Sequence, residues 1–284
     1  MDFVYDPFEI ELNKIDSLRY EVASGFIDEQ GFSIDQTVKT VISDLIGKLY
    51  VDAPNNKSGL EDKSDFPKLH SYKDSYIYYD KIKKGVYERD LFSFKVDPFE
   101  LDSLLVLNTE NLEFPGNLNA PTIFPFFRDT MRLNDDLELN FSHNIKKRYP
   151  AYEGRGEFTD HLYLDNDGLR GSGTIYYLNS VTATDSVYFY PYRAMAHANL
   201  HHIYEQTSPT DCPVVHVEDA SIDWRAFNDQ MESANRDLFF DAYQENFEFD
   251  GSMVLSPKVL TASGELFYNE ALTISEAFIL LTIF

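Results

Sequence analysis

The chain has 284 residues, 43% of them hydrophobic, and carries 48 acidic against 24 basic residues for a formal charge of -24. It is long enough to bury a substantial core, and its charge argues against a nucleic-acid partner, because a phosphate backbone is held by a basic footprint. The same charge disfavours an anionic membrane surface, and no run, Ala277 to Phe284 included, approaches the roughly 18 apolar residues needed to span a bilayer.

In chain order, residues 3 to 27 alternate apolar runs with acidic breaks, punctuated by Pro7 and Gly25, and read as strands with turns. Over Gln36 to Val51 the residues Val38, Val41, Ile42, Leu45, Ile46 and Leu49 recur at spacings of three and four. That predicts an amphipathic helix, although the Val and Ile content keeps a strand in play. Residues 52 to 73, with Pro54, Gly59 and Pro67, read as exposed loop, and Tyr76 to Tyr79 and Leu91 to Val96 as strands. Leu101 to Phe127, broken by Pro115, Gly116, Pro121 and Pro125, suits short edge strands, while 129 to 150 reads as polar and irregular. Residues 157 to 189 read as a three-strand meander. It turns at Asp165-Asn166-Asp167-Gly168, and Gly171 and Gly173 mark a bulge or a close backbone approach. A second helix is expected over 222 to 243, with Trp224, Phe227, Met231, Leu238 and Phe239 as its apolar side.

The meander recurs. Glu157, Phe158, Leu164, Leu169, Ser172, Gly173, Tyr177 and Thr182 reappear as Glu248, Phe249, Leu255, Leu260, Ser263, Gly264, Tyr268 and Thr273, and 264 minus 173 is 91. Asp6-Pro7-Phe8-Glu9 returns as Asp97-Pro98-Phe99-Glu100 under the same offset. Such identity indicates a tandem duplication, and repeats of this kind decide the architecture. The expected fold is mainly β, with tandem meander repeats of about 91 residues, solenoid-like or as stacked sheets, and one or two short helices. The units are placed at 1–96, 97–189 and 190–284, the first opening on the last strand of a preceding unit and the last truncated. The 23 Phe and 19 Tyr fit this class, since they favour pleated, half-buried surfaces.

No motif names a reaction, and no catalytic, cofactor or metal residue is assigned. Asp165 to Gly168 is too short for a calcium loop and lacks its distant Glu; the second copy has Ser256, Pro257, Lys258 and Val259 there, so a hairpin is expected. His197, His201 and His202 form the one histidine cluster, and on a helix His197 and His201 would share a face suited to zinc. The bland reading is surface or partly buried histidines, since Ala198 stands where the metalloprotease motif needs Glu. Cys212, the single cysteine, cannot form an intrachain disulfide and would be a nucleophile only beside a histidine. Gly171-Ser172-Gly173 completes no phosphate loop. Tyr176, Tyr188, Tyr190 and Trp224 suit stacking on sugars or, more simply, core packing.

The segments DPFEIELNKIDSL, YPAYEGRG, GLRGSGTIYYL with DSVYFYP, and the Trp224 stretch leading into FEFDGSMVL resemble long, repetitive, uncharacterised proteins of the envelope or surface of Gram-negative bacteria. The resemblance implies an envelope or extracellular location, no catalytic residues, and a parent longer than this chain. Met1 to Asp6 shows no signal peptide. More distantly, the Gly-punctuated strands look like the rungs of lipid-carrying envelope solenoids, a likeness of fold alone. The expected function is a non-catalytic structural or binding segment, with an apolar groove for lipid or a protein partner and open strand edges able to self-associate. The alternative is a carbohydrate-active enzyme or binding module with acidic and aromatic residues in a cleft.

Overall fold

The computed structural model describes residues 2–4, 8–27, 29–31, 33–56, 59–81, 84–107, 112–244, 246–269 and 271–282. Asp6 and Pro7 of the first repeated tetrad lie outside them. The fold is mainly β: the described residues hold strands and two 3-10 turns, Leu104–Val106 and Ala226–Asn228, and no helix among them is long and apolar enough to cross a membrane. The chain forms two compact units, Met1–Asn119 with Phe126–Phe141, and Ala120–Pro125 with Ser142–Phe284.

In the first unit, β1 (Asp2–Val4), β2 (Glu9–Ile15), β5 (Leu45–Tyr50), β6 (Lys68–Ser71) and β9 (Glu100–Leu101) form one antiparallel sheet in that order. β3 (Glu21–Ile27) and β4 (Ser33–Thr37) form a separate ribbon. β7 (Ser75–Tyr78), β8 (Ser93–Val96), β10 (Glu113–Asn119) and β11 (Phe127–Leu133) make a further antiparallel run that the start of β12 (Leu139–Ala151) joins. Its core is aromatic: Tyr79, Tyr87, Phe92, Phe94 and Phe114 are all fully enclosed. Tyr87 and Phe92 lie 4.4 Å apart, and Phe99 meets Phe114 edge-on at 5.0 Å, within the range where such pairs add to simple burial.

The second unit continues from β12 as a meander of β13 (Gly156–Asp165), β14 (Gly168–Tyr177), β15 (Ser180–Tyr190), β16 (Arg193–Ile203), β17 (Val215–Arg225) and β18 (Gln230–Asn235). β20 (Phe247–Leu255), β21 (Leu260–Tyr268) and β22 (Ala271–Leu280) follow, and short β19 (Phe240–Ala242) bridges β17 and β20. Two-residue loops join β13 to β14, β14 to β15 and β15 to β16. Phe124 packs on Phe158 and Phe189 at 6.4 and 5.0 Å, and Trp224 sits between Tyr152 and Tyr177 at 4.9 and 5.5 Å.

The two sequence-matched meanders pair in the same register. Glu157 faces Tyr176 as Glu248 faces Phe267, and Leu164 faces Leu169 as Leu255 faces Leu260. The β14–β15 ladder slips between Gly171 and Gly173, and the β21–β22 ladder between Ala262 and Gly264. Gly173 and Gly264 have φ of 151° and 148°, and a Cβ there would lie 2.1 Å from the Thr159 carbonyl oxygen or 2.0 Å from that of Asp250. Neither the angle nor the space admits a side chain.

Both expected helices are strands. In 36–51 the chain finishes β4, then turns through Asp44 at φ 59° into β5. Val38, Val41 and Ile42 lie in the connection between the strands and only Leu45, Ile46 and Leu49 belong to β5, so the spacing of three and four runs across a turn; Gly47 and the β-branched residues further weaken a helix. In 222–243 the chain ends β17, makes one 3-10 turn, and forms β18 and β19. Trp224 and Met231 are opposite partners across a hairpin, not successive positions on a helical face. Residues 129–150, read as irregular, are mostly β11 and β12. Pro115 lies in β10, which is paired on both sides; β8 begins its pairing only at Gly116, so the missing N–H breaks no bond in that ladder.

Candidate apolar binding site

Strand alternation gives the β2–β5–β6–β9 sheet two unlike faces. On one face Leu49, Leu69 and Leu101 stand in a row across three strands, with Leu12 opposite Gly47 and Ile15 opposite Leu45. Gly47 allows the strands to close, since a Cβ there would lie 2.3 Å from the His70 carbonyl oxygen. On the other face Lys48 Nζ holds Glu9 Oε1 at 2.7 Å and Glu11 Oε1 at 2.9 Å, and the Tyr72 hydroxyl donates to Glu11 at 2.9 Å. The Lys48 bond holds the Glu11 carboxyl below its usual value, helped by Tyr72, and the bonds to Glu9 and Glu11 hold Lys48 above its own.

The leucine face lines a cavity of about 900 Å³. Leu18, Tyr20 and Ala23 and the segment Leu104 to Leu107 form the facing wall. Ser103, in the left-handed region at φ 54°, turns the chain into the 3-10 segment and bonds the Ser64 carbonyl through its hydroxyl at 2.7 Å. The Leu107 carbonyl accepts the Ala23 N–H at 3.5 Å, and the Leu104 N–H donates to Pro67 at 3.1 Å. Of the seventeen lining residues, thirteen are apolar. The four polar ones, Arg19, Glu21, Asp35 and Thr37, are exposed at the rim, where the Thr37 hydroxyl donates to Glu21 at 3.2 Å.

Tyr20 is the one polar group set deep in this wall. Its ring lies 6.2 Å from Phe114, and its hydroxyl is buried with no hydrogen-bond partner among the described residues. Burial pushes the hydroxyl well above its ordinary value, so it stays a neutral donor.

The residues singled out in the sequence lie elsewhere, and they do not converge. The histidines sit on a strand. His197 is exposed, with Nε2 2.5 Å from Asp219 and 3.2 Å from Arg236. His201 is enclosed, with Nδ1 2.8 Å from the Thr182 hydroxyl, and burial takes it down to about 4. His202 packs against His216 at 5.9 Å between ring centres, and burial first, then His216, lowers it. Among the described residues no three His, Cys, Asp or Glu side chains are placed to hold a metal. Cys212 is buried against the Asn179 amide at 3.1 Å, and burial pushes its thiol up, away from the nucleophilic thiolate. Asp165 to Gly168 is the β13–β14 hairpin: Asp165 caps the Asp167 N–H at 2.8 Å and pairs with Arg170. Trp224 is core, while Tyr176 lies under the Arg148 guanidinium at 3.7 Å and Tyr188 and Tyr190 stack on each other.

The cavity residues were not anticipated. Leu45, Gly47 and Leu49 alternate in sequence, which is the signal that marks a half-buried strand. Their meeting with Leu12, Leu69 and Leu101 depends on long-range pairing that no local pattern encodes. No protein-family model, curated protein or solved structure matches the chain.

Proposed function

We propose that this chain is a non-catalytic binding segment of a repeat protein of the cell envelope or exterior, whose first unit takes an apolar, chain-like ligand such as an acyl chain. The observation that carries the reading is the lining: thirteen of seventeen residues around about 900 Å³ are apolar, counting Tyr20 with its buried hydroxyl, and Arg19, Glu21, Asp35 and Thr37 are exposed, as are Leu105 and Val106. Pockets for small amphipathic ligands have this composition and a volume of roughly 300–1,000 Å³. The rim holds Arg19 together with the carboxylates of Glu21 and Asp35, a balance that favours a neutral or zwitterionic head over a bare anion. The envelope setting, and the division into three repeats of about 91 residues, rest on the resemblance and the repeated sequence.

The test is titration with a zwitterionic lysolipid bearing a fluorescent acyl chain. Saturable binding is expected, with a blue-shifted emission, and Leu49→Asp, which puts a charge on the leucine wall, is expected to abolish it. A folded wild-type chain that leaves the emission unchanged rejects the reading. Saturable binding of an oligosaccharide in the same format, without lysolipid binding, would favour the carbohydrate alternative.

A further inference from the structure

The two matched meanders are entered through the same corner. Tyr152 and Tyr243 both lie in the left-handed region, at φ 51° and 55°, and donate their N–H groups to the carbonyls of Ile123 and Val214, at 2.7 and 3.1 Å. Both pairs keep the repeat offset, since 243 minus 152 and 214 minus 123 are each 91. Arg148 and Phe239 are therefore matched positions, as are Glu157 and Glu248, and Tyr176 and Phe267. In the first copy they hold a cation: the Arg148 guanidinium lies 3.7 Å over the Tyr176 ring and 3.4 Å from Glu157, which stands directly opposite Tyr176.

In the second copy the carboxylate and the ring are kept, and the cation is gone. Glu248 stands opposite Phe267, and Phe239 stacks on Phe267 at 5.4 Å where the guanidinium would lie. The segment has changed sign, with Asp237-Leu238-Phe239 in place of Lys146-Lys147-Arg148. Leu238 and Phe239 are 50% and 42% exposed, and with Glu218, Asp237, Asp241 and Glu248 they line a cavity of about 470 Å³. Asp241 faces Glu248 directly across the β19–β20 pair, and like charges so placed cost stability. None of the four carboxylates has a Lys or Arg partner among the described residues; Arg236, next in sequence, is turned to Asp219 at 3.5 Å and His197 at 3.2 Å. In the first copy the cation comes from the strand that enters the meander, and the matching position here is Phe239 itself, so the repeat supplies no charge of its own to this site.

We propose that this cavity binds a guanidinium group, brought in by an arginine side chain of a basic peptide. Asp241 and Glu248 accept its N–H groups, a forked match that an ammonium group lacks. Phe239 offers the cation an aromatic surface, and Leu238 packs on the apolar stem that carries it. The site is thus the Arg148 arrangement of the first copy with the guanidinium supplied from outside. The formal charge of -24 draws such a ligand toward the chain. No three His, Cys, Asp or Glu side chains among the described residues are placed to hold a metal, which leaves the larger, planar cation as the fit.

The probe is a blocked tripeptide with the sequence of residues 146–148, titrated into the full chain at about 0.15 M salt, where the screening length is about 8 Å. Binding is followed by calorimetry and amide chemical shifts. Saturation is expected, with shifts confined to β19, β20 and residues 236–239. The same peptide with citrulline for arginine should bind about tenfold more weakly, the scale of a lost charge-assisted bond, and Glu248→Gln in the chain should weaken the original peptide by a similar factor. Phe239→Arg, at an exposed site, should leave the fold intact and abolish binding, because it restores the cation of the first copy. Binding that both variants leave unchanged, or that does not tell arginine from citrulline, overturns the proposal, since it places the peptide on the acidic surface at large. Absence of any shift at millimolar peptide overturns it as well, and methylguanidinium binding as tightly as the tripeptide overturns the assignment to a peptide.

Discussion

Thr282 donates both its backbone N–H and its hydroxyl to a single oxygen of Asp211, at 2.9 and 2.7 Å. With the Tyr243 hydroxyl, which donates to the Leu281 carbonyl at 2.8 Å, this pins the end of β22. The two bonds, the backbone one first, hold the Asp211 carboxyl below its ordinary value. A depressed carboxyl contributes stability that is present above its unfolded value and lost as pH falls through the folded one. Protection of Leu280 to Thr282, taken relative to each amide's intrinsic exchange rate, should therefore fall in acid below that value, and Asp211→Asn should lower it at neutral pH without changing protection in β14. Equal exchange in the two proteins would show that Asp211 does not pin the strand.

His201 gives a second pH dependence with the opposite chemistry. The enclosed ring stays neutral in the fold down to about 4, whereas the unfolded chain protonates it near 6.5. The unfolded state binds the extra proton between those values, so unfolding free energy should rise with pH across that window and level off above it. The size is about 3 kcal/mol. Denaturant midpoints measured from pH 4 to 7.5 test it, and His201→Gln should flatten the slope; an unaltered slope would place the titration elsewhere.

The core of the second unit depends on Trp224. It is fully enclosed, and its indole N–H has no partner among the described residues. Trp224→Ala should cost about 3–5 kcal/mol. Trp224→Phe should cost markedly less, because the smaller ring keeps much of the contact with Tyr152 and Tyr177 and removes an unsatisfied donor. Equal losses in chemical denaturation would mean that the indole N–H is satisfied by ordered water.

Gly173 and Gly264 hold equivalent bulges in unequal surroundings, one inside the sheet and one beside its last strand. Gly173→Ala should destabilise by about 1–3 kcal/mol or more, from strained backbone and the close carbonyl together. Gly264→Ala should act first on the β20–β21 ladder, where the added Cβ would lie 2.0 Å from the Asp250 carbonyl oxygen, and through it on β22. Thermal melts with local hydrogen exchange separate the two, and a silent Gly173→Ala would contradict the bulge geometry.

Local signals carried much of the second unit into view. The Asp165 hairpin, the glycine bulge and the three-strand meander each depend on residues close in sequence, where turn chemistry and period-two patterning act directly. The same reasoning misplaced Gln36 to Val51, because the spacing of three and four runs across the turn at Asp44, and it misplaced 222 to 243, because Trp224 and Met231 meet across a tight turn. The cavity was the least legible part. Leu12, Leu49, Leu69 and Leu101 come from four separate strands, and nothing in any one of them announces that they share a wall. The histidines show the converse: four residues apart on a regular strand they would share a face, but the register shift at Asn199 sends His201 inward and leaves His197 exposed.

The two-residue loops between β13, β14, β15 and β16 bear on how the second unit comes to exist at all. Each of these strands pairs with the one made just before it, so each pairing closes only a few residues of chain. Closure entropy grows with loop length, and sheets of non-local pairing fold slowly for that reason. This sheet can zip one hairpin at a time during synthesis, the partner of every new strand already in place. Its folding rate should then be nearer that of helical proteins than its strand content suggests.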